Sequence, residues 1–326
     1  MFRIRQGATA LCPLNNFFTF APMKSPILSK FSPLPLLISV IIVTLLSFFL
    51  FTILGIVSVV LAYGIPVQEV LNQLGPAGAQ NIGVLKILQI SQSVGIFIVP
   101  ALTIGWLASE NTFGYLGFKK NFDWTGFGLM ILVLLASEPL VAYSGIINEG
   151  LNLPDFLSGV ENWMAEMEEK AIELTETFLN VTTLGGLSVN LLMIALIPGI
   201  GEELFFRGLL QPLFQKWFKN THVAVIFTAV LFSALHMQFY GFLPRMLLGI
   251  VFGYLFVWTK NMWYPILAHA IHNSIPVIGY YLYASEKSSI DVDEVGTGSN
   301  TWIWALGGFI LLIIFAKRLR EQFQEK

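Results

Sequence analysis

The fold is decided by residues 185–214, which read GGLSVNLLMIALIPGIGEELFFRGLLQPLF. This apolar run is long enough to cross a membrane, yet it carries Glu202, Glu203 and Arg207 near its centre. An ionisable side chain in lipid costs roughly 3 kcal/mol or more unless it is paired or hydrated. Ionisable residues at this depth therefore predict a functional site. The alternative is an interfacial helix end whose acids contact only lipid headgroups.

Composition places the chain among polytopic membrane proteins. Its 326 residues are 55% hydrophobic and 12% charged, and the mean hydropathy is +0.72. The net charge of −2 comes without a basic patch able to neutralise phosphates, which argues against a nucleic-acid partner. The lone cysteine, Cys12, excludes an internal disulfide and a thiolate metal cage.

Eight apolar windows predict an all-α, polytopic membrane bundle of about eight transmembrane helices, because a bilayer core needs roughly 20 apolar helical residues. The windows lie at about 34–63, 86–108, 124–147, 182–212, 222–240, 243–259, 262–283 and 301–316. Pro198 is expected to bend the fourth.

Charge asymmetry predicts the orientation. Lysines and arginines lie in alternate loops, around Lys119, Lys216 and Lys260, and near both ends of the chain. The positive-inside rule therefore puts both termini in the cytoplasm, with the chain in the cell membrane. The acidic loops 149–180 and 284–300 then lie outside, and the pattern of 161–180 predicts an amphipathic helix on the outer face.

We divide the chain into four segments. Residues 1–30 form an N-terminal extension expected to be disordered, and either Met1 or Met23 is the initiator. Residues 31–181 hold the first transmembrane helices and the outer amphipathic helix. Residues 182–283 form the catalytic core, and residues 284–326 hold an outer loop, the last transmembrane helix and a basic tail.

Polar residues inside three predicted spans point to one shared site. His236 lies on the fifth span, while His269 and Asn273 are four residues apart on one face of the seventh. At about 1.5 Å rise per residue, Glu202 lies ~15 Å deep, His236 ~21 Å and His269 ~10 Å. We expect these groups, which fall within ~11 Å in depth, to line a common pocket.

The chemistry of this set suits hydrolysis of a peptide bond. A poorly solvated carboxylate can act as a general base on water, histidines can share that water or donate protons, and an amide with an imidazole can stabilise an oxyanion. Glu203 and Arg207, four residues apart, are expected to form a buried salt bridge that fixes the helix.

A metal site is the alternative chemistry. Glu202, His236 and His269 would be its three ligands, holding a divalent ion such as zinc with one position open for water. The chain lacks an HExxH motif, and Asn273 is a poor zinc ligand. Three nearby polar residues are left outside the site: Glu138 beside Pro139, His272 as a hydrogen-bonded helix-interface residue, and Arg245, expected to extend towards the interface.

Three motifs, EELFFRG (202–208), FSALH (232–236) and HAIHN (269–273), resemble those of the CPBP intramembrane proteases. This family includes CAAX prenyl endopeptidases and bacteriocin-processing or self-immunity proteins, also called Abi proteins. The resemblance covers about residues 185–283. It implies that Glu202 activates water with help from His236, that His269 and Asn273 stabilise the oxyanion, and that Glu203 and Arg207 support the first motif. Both metal-dependent and glutamate-dependent mechanisms stay open.

Two functions follow as hypotheses. The first is an intramembrane endopeptidase that cuts a peptide or membrane-associated protein near the cytoplasmic face. The second is a non-catalytic membrane protein for bacteriocin self-immunity or partner sequestration, in which the polar cluster only holds helices together. A coupled transporter is less favoured because paired inverted halves are not evident. The substrate, prenylated or not, is left open.

Overall fold

The computed structural model describes residues 26–73, 81–151, 153–290, 298 and 300–324. Within these ranges the regular secondary structure is helical. Cys12, Met23 and most of the proposed N-terminal extension lie outside the described residues. The helices are α1 (Pro33–Tyr63), α2 (Val67–Gln73), α3 (Ile82–Ala108), α4 (Thr112–Tyr115), α5 (Trp124–Glu149), α6 (Ser158–Leu179), α7 (Leu184–Phe218), α8 (Thr221–Ala234), α9 (Phe242–Thr259), α10 (Trp263–Ala284) and α11 (Thr301–Gln324).

Each of the eight predicted windows overlaps one of these helices, which confirms the all-α membrane bundle. Six of them, α1, α3, α5, α7, α9 and α11, are long and apolar enough to cross a membrane. The helix α8 is apolar but has only 14 residues. The helix α10 is long enough, with 22 residues, but it carries His269, His272 and Asn273 in its middle.

The helix α7 departs from regular α-helix on both sides of the glutamate pair. Leu191–Leu196 and Leu204–Leu210 are π-helical, and Pro198 follows the first of these segments near the start of an α-helical segment. Proline has no N–H to donate, and a widened turn tolerates that loss. The bend predicted at Pro198 stays a prediction, and the observed irregularity is the π-helical segment that ends two residues before it. Such turns are frequent at functional sites.

The lysines of two helix junctions and the acidic helix α6 lie at opposite ends of the bundle. At one end, the junctions α7–α8 and α9–α10 carry Lys219 and Lys260, both in left-handed backbone conformation. At the other end, the α8–α9 loop packs against α6, where Glu168 accepts a hydrogen bond from the backbone N–H of Tyr240 at 3.1 Å. The predicted amphipathic helix is present as α6, at the end of the bundle opposite these two lysines.

Close packing between α7, α8 and α9 depends on two glycines. A Cβ on Gly249 would lie 3.0 Å from that of Ala229, and one on Gly253 would lie 2.9 Å from Val225. The spacing GxxxG predicts this kind of approach. It also brings the backbone carbonyls of α9 within reach of polar side chains on α7, which determines how the site is built.

Candidate active site

One cavity of about 420 Å³ brings together all four residues predicted to be catalytic. Its walls come from α3, α6, α7, α8, α9, α10 and the loop after α8. The predicted residues on these walls are Glu202, His236, His269 and Asn273. The depths estimated from the sequence therefore identified side chains that line one cavity. The volume of this cavity is typical of ligand-binding sites.

Glu202 is buried and has no hydrogen-bond partner for Oε2 among the described residues. The nearest charged or titratable neighbour recorded is Nε2 of His269, at 3.9 Å from Oε2. This gap is too long for a direct hydrogen bond, but one water molecule could hydrogen bond to both atoms. A carboxylate buried without a partner is costly, so Glu202 is placed to interact with water or substrate.

Glu203 does more than the predicted salt bridge. Its Oε1 accepts from Nη1 of Arg207 at 2.7 Å and from Nδ1 of His269 at 2.8 Å. Arg207 also donates Nη2 to the carbonyl of Gly249 at 2.8 Å, and its guanidinium lies 4.9 Å from the ring centre of Phe232. The ionic pair thus ties α7 to α9 and holds the ring of His269 on α10.

The contact with Glu203 fixes which nitrogen of His269 faces the cavity. A carboxylate only accepts hydrogen bonds, so Nδ1 carries a proton and Nε2 is the atom directed towards Glu202. Phe252 stacks on the imidazole with ring centres 5.0 Å apart. The ring is therefore fixed in both direction and plane.

His236 lies on a turn and not on the fifth span, so the predicted window 222–240 was too long. The helix α8 ends at Ala234, and Met237 adopts a left-handed conformation with φ of 55°. Nδ1 of His236 donates to the carbonyl of Phe232 at 2.8 Å, because a carbonyl can only accept. As in His269, Nε2 is the nitrogen left for chemistry.

Asn273 lies on the cavity wall one helical turn after His269, as predicted. Its Nδ2 donates one hydrogen to the carbonyl of Ile194 at 3.0 Å. That carbonyl belongs to the first π-helical segment of α7. The second hydrogen of the amide and its oxygen are not used in this bond, so the side chain is oriented while retaining a donor.

His272 and Arg245, which the sequence analysis left outside the site, also line the cavity. His272 forms the expected helix-interface bond, with Nδ1 2.8 Å from Oε1 of Glu138 on α5. The prediction that Arg245 extends towards the membrane interface is wrong, because its side chain lines the cavity. Its Nη1 and Nη2 donate to the backbone and side-chain oxygens of Gln238, at 3.2 and 2.6 Å.

Glu202, His236 and His269, the three ligands of the alternative metal site, are not arranged as a metal centre. Among the described residues, no group of three or more His, Cys, Asp or Glu side chains is placed to hold a metal ion. Glu202 Oε2 and His269 Nε2 are 3.9 Å apart, longer than the roughly 3.3 Å between neighbouring ligands of a tetrahedral zinc with 2.0 Å bonds. We derive no catalytic step through a metal.

Comparison with known proteins supports the same region. Residues 185–275 match the family model of the type II CAAX prenyl endopeptidase Rce1-like proteins. Two proteins of Bacillus subtilis (strain 168) are similar. "Putative membrane peptidase YdiL" is 28% identical over 107 residues, covering 32% of this chain and 42% of that protein. "Uncharacterized protein YpbD" is 26% identical over 90 residues, covering 26% and 43%.

The matches thus span less than half the length of these curated relatives. No solved structure matches this chain. The four cavity residues and the Glu203–Arg207 pair all lie within residues 185–275.

Proposed function

We propose that this chain, whose residues 185–275 match the model of the Rce1-like type II CAAX prenyl endopeptidases, hydrolyses a peptide bond in the cavity around Glu202. The substrate is a peptide or membrane-associated protein that reaches this cavity from the bilayer or its surface. One observation carries the proposal. Glu202 Oε2 and His269 Nε2 face each other at 3.9 Å on a cavity that His236 and Asn273 also line.

In the proposed reaction, Glu202 takes a proton from a water molecule, assisted by Nε2 of His236. The water oxygen bonds to the carbonyl carbon of the scissile peptide, and the electron pair of the C=O bond moves to oxygen. The second N–H of Asn273 donates to this oxyanion. The proton on Glu202 then passes to the leaving nitrogen as the C–N bond breaks, giving an acid and an amine.

The family resemblance assigns His269 to the same oxyanion. Since its Nδ1 proton is directed to Glu203, donation to the substrate requires a second proton on Nε2. The carboxylates of Glu203 and Glu202 lie on either side of the ring and balance the positive charge of that form. Glu203 is therefore a positioning residue for His269, and Arg207 holds Glu203.

The side of the membrane from which substrate enters also belongs to the proposal. The cavity is walled by α6 through Ala171, Leu174, Thr175 and Phe178, and α6 lies in the acidic loop that the positive-inside rule places outside. Because the cavity and α6 lie on the same side of the membrane, cleavage at the cytoplasmic face and an outer position of α6 cannot both be correct. We propose entry from the α6 side, and labelling from each side of the membrane decides which face that is.

The rival function, a scaffold in which the polar cluster only joins helices, is less well supported. A structural network places its carboxylates in hydrogen bonds, as Glu203 is placed. Glu202 makes no comparable bond among the described residues, and it faces the cavity. That arrangement suits a catalytic carboxylate better than one that only holds helices together.

The test compares Glu202→Gln with Glu166→Gln, a control on the exposed face of α6 that removes a carboxylate paired with Lys170. Each protein is reconstituted with a mixture of membrane proteins and peptides, and released fragments are identified by mass spectrometry. We expect Glu202→Gln to lower the cleavage rate by at least about 100-fold while the control cleaves normally. Unchanged cleavage by Glu202→Gln would remove Glu202 from the mechanism.

A further inference from the structure

The cavity contains one cationic side chain, Arg245, that the proposed hydrolysis does not use. It lies in the first turn of α9 and is the only lysine or arginine among the residues described as lining this cavity. Both of its hydrogen bonds go to Gln238, which is neutral. In the described part of the chain, no carboxylate oxygen lies within 4.0 Å of its nitrogens, so its charge is not directly paired.

Comparison with Arg207 shows why this matters. Arg207 is fully buried, and its charge is compensated by Glu203 at 2.7 Å. Arg245 faces a cavity instead, and two of its five N–H groups are used. A guanidinium presents its remaining donors in a planar fork that matches the two oxygens of a carboxylate. The cavity wall therefore offers a charge and a geometry that suit an anionic ligand.

The guanidinium is also held in place by the loop before α9. Gly241 lies directly against it, and a Cβ there would come within 2.6 Å of Cζ. Two carboxylates, Glu168 and Glu202, influence the charge of Arg245 without contacting it directly. Glu168 accepts a hydrogen bond from the backbone N–H of Tyr240 at 3.1 Å. Gln238 and Gly241 thus form a cradle that fixes where the charge lies.

We propose that Arg245 determines substrate specificity by binding a carboxylate of the substrate, while Glu202 acts on a peptide bond elsewhere in the same cavity. The carboxylate is either the C-terminal one or that of an aspartate or glutamate side chain. The inference deepens the proposed function and rests on it only in taking a peptide as the ligand.

The experiment uses three pools of random N-acetylated heptapeptides. The first has free C-terminal carboxylates and no acidic side chains, the second is identical but amidated, and the third is amidated with one Asp or Glu per peptide. Cleavage is measured with the intact, detergent-solubilised protein. Binding is measured separately by affinity selection and mass spectrometry on Glu202→Gln, so that it does not depend on turnover.

We expect the protein to prefer the first or the third pool over the second by tenfold or more, because charge-assisted bidentate bonds are strong. Arg245→Gln should abolish that preference, and Arg245→Lys should restore part of it. Gly241→Ala, which displaces the guanidinium without removing its charge, should weaken it. Gly185→Ala, at a helical glycine whose Cβ would meet nothing within 4 Å, should leave it unchanged.

The outcomes separate the two proposals. A preference for the first pool identifies the C-terminal carboxylate, and one for the third identifies an acidic side chain. If binding is selective and depends on Arg245 but no peptide is cleaved, the proposed hydrolysis is refuted and the carboxylate subsite is supported. Equal capture of all pools, capture of none, or a preference that survives Arg245→Gln in a folded protein would overturn the subsite.

Discussion

Removing one partner of the Glu203–Arg207 pair should destabilise the protein far more than removing both. Both side chains are fully buried, and their charged atoms are 2.7 Å apart. At an effective dielectric constant of about 20, that separation corresponds to an attraction of about 6 kcal/mol, an upper bound before desolvation is subtracted. Arg207→Met leaves Glu203 as an uncompensated buried charge, which typically costs about 3–5 kcal/mol.

The double variant Glu203→Gln with Arg207→Met leaves neither charge behind. Methionine fills much of the space beside Phe232 and Phe252, whose rings flank the guanidinium. We therefore expect it to recover most of the lost stability, within about 2 kcal/mol of the unmodified protein. Unfolding in mixed micelles with increasing SDS measures the stability of both variants and of the unmodified protein. An Arg207→Met variant that loses under about 1 kcal/mol, or a double variant no more stable than it, would refute a compensated buried pair.

Three other predictions follow from the site. Asn273→Ala should lower kcat by about 100-fold or more with little change in KM, since it removes an oxyanion donor; a raised KM with unchanged kcat would indicate a binding role instead. Prolonged treatment with a chelator should leave cleavage unchanged and release no stoichiometric metal in elemental analysis, because the described donor set does not fit a metal; loss restored by zinc would contradict this. In a Cys12→Ser background, an impermeant thiol reagent outside the cell should label Thr175→Cys on α6 and spare Lys219→Cys at the opposite end; the reverse pattern would invert the topology and put the cavity entrance in the cytoplasm.

Local periodicity was sufficient to predict the helices and the pairing of Glu203 with Arg207, because both depend on spacing within one helix. It could not predict that Glu203 also holds His269, 66 residues further along the chain. That contact depends on how α7 and α10 are rotated against each other. The rotation is set by packing, such as the 3.0 Å approach that a Cβ on Gly199 would make to Ala270.

The errors lie where the chain leaves regular helix. Hydropathy carried the fifth span to residue 240 because Met237, Phe239 and Tyr240 are apolar, whereas the helix ends at Ala234. The turn is stabilised by Ser233, whose hydroxyl donates to the carbonyl of Phe242 at 2.6 Å. The same loop carries Gln238, so the orientation of Arg245 could not be derived from its depth along α9.

The adjacent glutamates divide two physical tasks that one residue could not perform together. Glu203 is fully buried, and its Oε1 accepts from Arg207 and His269. Its Oε2 has no partner among the described residues, but Glu203 is not one of the residues that line the cavity, so its charge serves to hold the helices. Glu202 makes no such bonds, so it keeps its capacity to bind a proton or water but contributes nothing to holding the helices. Because neighbouring residues on a helix point about 100° apart, one turn of α7 can direct one carboxylate into the protein and the other into the cavity. Exchanging their environments, for example by moving the arginine to position 206 in a Phe206→Arg, Arg207→Phe variant, should therefore cost both stability and cleavage, with neither carboxylate able to replace the other.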